Sequence, residues 1–439
     1  MASLSLYLLT FNCGRTLVQP DVFAPHLFHA LPQPQYLPDI LVISLEEIAP
    51  IGYSFLGGSF LTPYFNAFRQ TVRLASKDTS YVNIISRNVG MTAIMVFVRY
   101  NLVSRVSMLR TAGVGVGLHE MGNKGAVGVR MALQTHEDAD EVMQLTFVAA
   151  HLAPMEYGLK ERNEDWRSIV QGLIFVPDAP KKTTAQDEQE EDVPLLQDTQ
   201  GESSSKGGMY TPDSYLFFSG DLNYRTSETR PTLEDIKRFP QPTTDSNDPK
   251  HFSHLLPKDQ LTQQLRANKS LHGLTEAPIT FPPTYKYAIG LRFAPQGDDA
   301  QEWKWAPHRW PSWCDRILYL DLPSWMRRNS APTTTIEVHS YKALPLFSTS
   351  DHRPVALSLS IPLSAIPPAD GVTDDIRMQP PFSIDPHWKA RRDVARKKEI
   401  VVGILAYLSL TWEGNGLLVA TIIGGIGGWF IISSMLVSR

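Results

Sequence analysis

Asp221 and Asn223 stand two residues apart in YLFFSGDLNYR, at the exit of the aromatic run Tyr215–Ser219. A buried strand that delivers a carboxylate and an amide into its exit loop can place chemistry on a rigid frame, although Gly-Asp-x-Asn also forms an ordinary Asx turn. Four other apolar runs end in groups of the same kind. Asn12 closes TFN, Glu46 and Glu47 follow DILVISL, His151 follows QLTFVAA, and Asp351 with His352 lies in STSDHRPV. One acid or histidine at a strand end is ordinarily a cap or a solvated residue. Five strand exits that share one chemistry are much harder to assign to caps. Acids, amides and imidazoles together suit Mg²⁺-assisted transfer of a phosphoryl group to water. The ion takes few carboxylates and keeps waters, one group orients the attacking water, and donors hold the phosphate oxygens. No P-loop, CxxC or HExxH pattern supports a rival cofactor.

The elements that must carry these residues are strands interleaved with helices. Ser3–Asn12, Tyr81–Ser86, Thr92–Tyr100, Leu102–Arg110, Gln144–Ala150, Arg316–Leu322, Thr334–Ser340 and Pro354–Ile361 read as strands, and DILVISL as a central strand buried on both faces. Asp21–Leu31, Thr62–Ala75, Glu161–Ile174 and Lys258–Ser270 read as helices. GVGVGLHEMGNKGAVGV is a Gly-rich turn feeding another strand. Between Val176 and Gly208 the composition collapses into Pro, Asp, Glu, Gln, Ser, Thr and Lys, the signature of a disordered surface insertion. Sheets covered by helices follow from this order.

The 439 residues permit a large core, and the net charge of −4 argues against a broadly basic nucleic-acid surface. Cys13 and Cys314 lie far apart without metal spacing, which fits a reducing, cytosol-facing body. The N-terminus lacks the basic flank and cleavage site of a signal peptide. Leu417–Val437 is 21 residues without a charge, near the length that spans a bilayer. Upstream, KARRDVARKK (389–398) holds six basic residues against one acidic, as a cytosolic flank would. The expected division is therefore a body over 1–361 with the insertion at 176–208, then a linker with a basic juxtamembrane segment over 362–399. A short interfacial apolar segment at 400–412 and a tail anchor at 417–437 complete it. The linker predicts reach towards an apposed membrane, and the Gly-rich span with its basic flank fits the thinner endoplasmic reticulum bilayer.

In order, TFN, SLEE, GNKGAVGVR, HLA, GDLNYR, PPTYKY, WCDRIL and SDHRPV resemble the inositol polyphosphate 5-phosphatases, members of the endonuclease/exonuclease/phosphatase superfamily. The resemblance covers Leu4 to Ile361, and GDLNYR with PSWCDRIL is its most specific part. It implies a four-layer αββα sandwich with the site at the sheet edges, followed here by the transmembrane helix. It implies Glu47 as the main Mg²⁺ ligand with Asn12 beside it and Asp351 near the metal. Asp221 would orient or deprotonate the water, and Asn223 would hold it and a phosphate oxygen. His352 would stabilise the pentavalent phosphorus with Asp315 fixing its tautomer, and His151 would bind the scissile phosphate. Tyr285, Lys286 and Arg309 match positions that recognise a 4-phosphate, and Asn123 and Lys124 match contacts to a 1-phosphate. Cys314 and Trp313 read as packing residues.

Three departures stand out. The Gln that usually precedes the metal Glu is Glu46, which adds negative charge; the second His of HLAAH is Met155; the Asp that usually follows TYKY is Ala288. The resulting expectation is a membrane-anchored, Mg²⁺-dependent phosphatase that removes the 5-phosphate of phosphatidylinositol 4,5-bisphosphate. Its partners are the lipid and the membrane, with no nucleic acid. The alternatives are a weakly catalytic phosphoinositide-binding tether and a phosphodiesterase of the same superfamily.

Overall fold

A computed structural model describes residues 2–33, 36–77, 79–137, 139–177, 207–288, 300–329, 335–369, 371 and 373–437. The insertion expected at 176–208 falls mainly outside them. In chain order the strands are β1 Ser3–Asn12, β2 Ile40–Glu46, β3 Tyr81–Val89, β4 Thr92–Arg99, β5 Val106–Gly115, β6 Gly125–Gln134 and β7 Val142–His151. They continue with β8 Val176–Pro177, β9 Ser214–Asp221, β10 Leu274–Glu276, β11 Asp315–Leu320, β12 Glu337–Ala343 and β13 Val355–Pro362. One sheet runs β12-β13-β1-β2-β4-β3 and the other β10-β11-β9-β7-β6-β5-β8.

The two sheets pack face to face. On β1, Leu4, Leu6 and Leu8 point into the layer between the sheets, against Val127, Phe147, Phe217 and Ile317 of the other sheet. Tyr7, Leu9 and Phe11 point the other way, onto Phe23, Phe68 and Val72. Both faces are buried, so β1 and β2 read as continuous apolar runs rather than alternating ones. Behind the second sheet, Trp166, Ile169 and Val170 of helix Leu159–Gly172 cover Val148, Leu216 and Phe218. The result is the expected αββα sandwich. The predicted helix over Asp21–Leu31 is instead two short turns, Pro20–Phe23 and Ala24–His26, because Pro25 has no amide hydrogen to continue the ladder.

The C-terminal region departs further from expectation. The stretch read as a free linker runs along the body. Ala365 donates to Glu141, Tyr215 Oη to the Ser364 carbonyl and Trp325 Nε1 to the Pro367 carbonyl. Arg377, buried, pairs with Asp375, and Phe382 lies under the Arg167 guanidinium. The basic segment and most of the 400–412 apolar segment are one helix, Trp388–Leu410, docked on helix Ile51–Leu56. Docking is possible because the inward face is Ala395, Glu399, Gly403 and Ala406, so backbones approach closely: a Cβ on Gly52 would lie 2.9 Å from the Tyr407 nitrogen. After Thr411 comes helix Trp412–Val437, long and apolar enough to cross a membrane and unburied along its most apolar stretch.

Candidate active site

Strand register brings the polar residues to one edge. In the parallel pair β1–β2, Asn12 lies beside Glu46, and in the parallel pair β7–β9, His151 lies beside Asp221. Antiparallel β11 sets Asp315 opposite Asp221. The sheets meet here through Ser44 Oγ and Ser219 Oγ, 2.7 Å apart. Gly220 allows the close approach of β9 to β7: its φ is 152°, and a Cβ would stand 1.8 Å from the Ala150 carbonyl oxygen. Asn223 is left-handed (φ 57°), a conformation asparagine tolerates, and its amide donates to Asp221 Oδ1 at 3.1 Å. The Asx turn is real. It also forms one wall of the site.

Asp221 Oδ2 is the focus. It accepts from Asn12 Nδ2 at 2.9 Å and lies 3.2 Å from His151 Nε2 and 3.9 Å from His352 Nε2. His352 Nδ1 is 2.9 Å from Asp315 Oδ2, which also accepts from Thr284 Oγ1 at 2.6 Å. Burial opposes both charges of the Asp221–His352 pair, yet their mutual attraction prevails. The Asp221 carboxyl is held well below its usual range by His352, His151 and Lys124. His352 is raised to about 9 by Asp315, Asp221 and Asp351, and is therefore an imidazolium at neutral pH. His151 is lowered, by burial first and then by Lys124, so that it is neutral there.

Lys124, expected at the 1-phosphate, reaches inward: its Nζ bonds His151 Nε2 and lies 3.9 Å from Glu47 Oε1. Glu47 is left-handed (φ 46°) and is also paired with Arg15 at 2.7 Å. Burial raises its pKa, but His151, Lys124 and Arg15 bring it below the ordinary value. An ionised carboxylate still open to solvent is a hard-oxygen donor that fits a divalent cation keeping several waters, while the Asn12 amide oxygen accepts the Gly14 amide at 3.0 Å. Asp351, expected near the metal, is committed to Lys286 Nζ at 2.6 Å. Ligand atoms of Asp221, Asp315 and His352 lie within 4.8 Å of one another. His352 Nδ1 is bonded to Asp315, and as an imidazolium the ring carries a proton on Nε2 as well, so it acts here as a donor rather than as a ligand to an ion.

On the cationic wall, Lys286 and Tyr285 flank His352, with the Tyr285 ring 4.5 Å from the imidazole. Arg309 pairs with Glu156 at 3.3 Å and touches Met155 Sδ at 3.0 Å, so Met155 packs against the arginine the site holds. Glu46 is fully buried and bonded by Thr10 Oγ1; burial, Asp221 and Asp315 push its carboxyl well above the ordinary range. A protonated Glu46 is close to the shape and charge of the glutamine it replaces, which removes the extra charge expected there. Ala288 donates its backbone amide to the Lys304 carbonyl at 2.7 Å.

Sequence reasoning missed Arg225, the last residue of GDLNYR. It is buried, bonds Asn223 Oδ1, lies 4.3 Å above the Tyr285 ring, and its Nε and Nη1 have no partner among the described residues. Its proximity to Asn223 in the motif was the available signal.

The family model of endonuclease/exonuclease/phosphatase family 2 matches residues 9–358. An inositol-1,4,5-trisphosphate 5-phosphatase 1 of Schizosaccharomyces pombe is 30% identical over 280 residues, covering 63% of this chain and 19% of that protein. A probable inositol polyphosphate 5-phosphatase of the same yeast is 25% identical over 437 residues, 93% of this chain and 32% of its own length. Human synaptojanin-1 is 26% identical over 340 residues, 74% of this chain and 18% of that protein. The chain thus spans less than a third of the length of these curated relatives. Among solved structures, the inositol polyphosphate 5-phosphatase domain of SPsynaptojanin, in complex with inositol (1,4)-bisphosphate and calcium ion, aligns with a TM-score of 0.58 at 23% identity. The match covers 91% of this chain and 90% of that one, and it shows the shared fold.

Proposed function

The chain belongs to endonuclease/exonuclease/phosphatase family 2, and on that premise we propose that it is a phosphoinositide 5-phosphatase. The reaction converts phosphatidylinositol 4,5-bisphosphate and water to phosphatidylinositol 4-phosphate and inorganic phosphate. The observation that carries this reading is the convergence of Asn12, His151 and His352 on one oxygen of Asp221, beside Lys124, Arg225 and Lys286. Its depressed pKa makes Asp221 a better acceptor that orients water than a base that removes its proton. Asn223 holds the water, and the His352 imidazolium donates to a phosphoryl oxygen as charge builds there. His151 and Lys124 bind the scissile phosphate. The water oxygen bonds to phosphorus in line with the departing 5-oxygen, whose bond breaks; one water proton stays on the released phosphate and the other ends on the 5-oxygen. Mg²⁺ held by Glu47 and Asn12 would neutralise developing charge on the phosphoryl oxygens. Tyr285, Lys286 and Arg309 recognise the 4-phosphate and Asn123 the 1-phosphate, where several fixed cations are needed.

On this reading Trp412–Val437 anchors the protein in the endoplasmic reticulum membrane with the body in the cytosol. The outer side of the docked helix carries exposed Ile400, Val401, Ile404 and Leu405, suited to the bilayer interface. A packed connection in place of a free linker favours lipid of the same membrane over an apposed one. The weakly catalytic tether remains the second reading, motivated by Met155 and Ala288.

The test is phosphate release by the full chain reconstituted in vesicles containing a panel of phosphoinositides, with Mg²⁺ and with EDTA, beside Asp221→Ala. Mg²⁺-dependent release from the 4,5-bisphosphate in its own vesicles, abolished by the substitution, is expected. A folded protein that binds the lipid and releases nothing would establish the tether, and release only from apposed vesicles would overturn the same-membrane reading.

A further inference from the structure

Glu399 has no solvent-exposed side-chain surface, although it sits in the most basic stretch of the chain. Its Oε1 accepts the Gly122 amide at 2.9 Å and Arg392 at 2.6 Å, and its Oε2 accepts Arg396 at 3.2 Å. Arg396 in turn donates to the carbonyls of Phe55 and Leu56 on the body. Two arginines that are partly open to solvent need no buried partner. The Gly122 amide does.

Gly122 is the residue before Asn123 and Lys124. Both of its backbone groups are pinned, because its carbonyl accepts from Met91 at 2.8 Å. Met91 then accepts from the amide of Ile48, next to Glu47, at 3.3 Å. The contact is tight: a Cβ on Gly90 would fall 2.1 Å from the Gly122 oxygen. The same helix touches the loop twice more. Arg391 pairs with Glu120, and Val402 packs with Phe55, Met91 and Met121. Without such support the loop is a costly conformation, since His119 and Glu120 are both left-handed. The loop ends at Lys124, whose Nζ bonds His151 Nε2, so the position of the loop sets how deep that cation stands in the site.

We propose that helix Trp388–Leu410 is a strut that fixes the phosphate-binding loop 117–124, with Glu399 as its positioning residue. The proposal rests on the phosphatase reading above for the ligand of that loop. Because the strut leads directly into the apolar helix Trp412–Val437, the loop is held by the element that joins the body to its anchor.

The test uses the full chain in detergent micelles, with soluble inositol 1,4,5-trisphosphate as substrate and amide hydrogen exchange as a second readout. Glu399→Ala should raise KM on the order of fivefold, a coupling of ordinary size for a loop contact, while kcat changes far less. Exchange should rise at 117–124. Glu399→Gln, whose amide oxygen can still accept from Gly122, should restore most of both. Arg391→Ala, at an exposed site that threatens no fold, should shift both readouts in the same direction by less. Unchanged KM and loop exchange in Glu399→Ala and Arg391→Ala would overturn the strut, as would a Glu399→Gln as impaired as the alanine variant. A wild-type chain that releases phosphate neither from this substrate nor from the lipid vesicles above would refute the phosphatase reading, and the exchange data would still decide the strut.

Discussion

Replacing Asp315 with asparagine keeps the shape of the side chain and an acceptor for Thr284 but removes the nearest charge from His352. The two side chains are buried and 2.9 Å apart. Burial alone pulls the imidazole down; Asp315 is the largest influence raising it, followed by Asp221, and the outcome is a pKa of about 9 against 6.5. A rise of that size corresponds to about 3 kcal/mol of preference for the imidazolium. With Asp315 neutral, that preference should collapse and His352 should titrate at or below its ordinary value. If the imidazolium stabilises the phosphoryl oxygens, wild-type kcat should hold to near pH 9 and fall above it. In Asp315→Asn the fall should begin about two units lower or more, with a loss of at least ~100-fold by the wild-type midpoint. Folding stability carries the same sign. A raised pKa contributes stability that is fully present below 6.5 and is lost as pH climbs through about 9. The assays are initial rates of phosphate release across the neutral to alkaline range, and NMR titration of the imidazole in metal-free protein. A basic limb that does not move in Asp315→Asn, or a wild-type imidazole that titrates near 6.5, would refute the reasoning.

Arg225→Met should cut kcat/KM by on the order of 100-fold, as loss of one fixed donor to a developing charge does, while stability falls by only about 1–3 kcal/mol, the cost of leaving Asn223 Oδ1 unpaired. Full activity in that variant would reduce Arg225 to a packing residue. Arg316 is unexposed and joins Asp259 at 3.0 Å to Glu276 at 2.5 Å, fastening β11 beneath Asp315. Arg316→Ala leaves two buried carboxylates uncompensated and should cost about 3–5 kcal/mol in denaturant unfolding. A loss below 1 kcal/mol, by the same measurement, would show those acids to be protonated or solvated.

The polar edge was legible because most of its members sit at the end of a strand that is apolar on both faces. Runs such as SLSLYLLTFN and YLFFSGD announce where the sheet stops, and a polar residue at that point cannot belong to the core. The register could not be read so directly. That His151 and Asp221 are neighbours depends on Gly220 letting β9 approach the Ala150 carbonyl, a fact of backbone geometry that residue types do not carry. Lys124 illustrates the same limit. Its motif marked it as a phosphate contact, while its depth, against His151 and Glu47, follows from the loop being tied down at Gly122 by residues near position 400.

That tie was illegible for a physical reason. A helix docked on a soluble body ordinarily presents large apolar residues inward and charges outward. Trp388–Leu410 does the reverse in its second half: Glu399, Gly403 and Ala406 face the protein, while Ile400, Val401, Ile404 and Leu405 are exposed. Hydrophobic periodicity therefore pointed away from the surface the helix packs on, and the segment read as two unrelated pieces, one basic and one apolar. Small residues inward and branched apolar residues outward is how a helix packs when its surroundings are lipid, where close backbone approach replaces the hydrophobic effect as the source of association. The buried carboxylate supplies what small residues cannot, a directional bond to Gly122. On the proposed membrane-anchored reading, a helix with branched apolar residues on one side and a single loop amide on the other would hold the loop in a fixed relation to the membrane surface, where a lipid headgroup would be met.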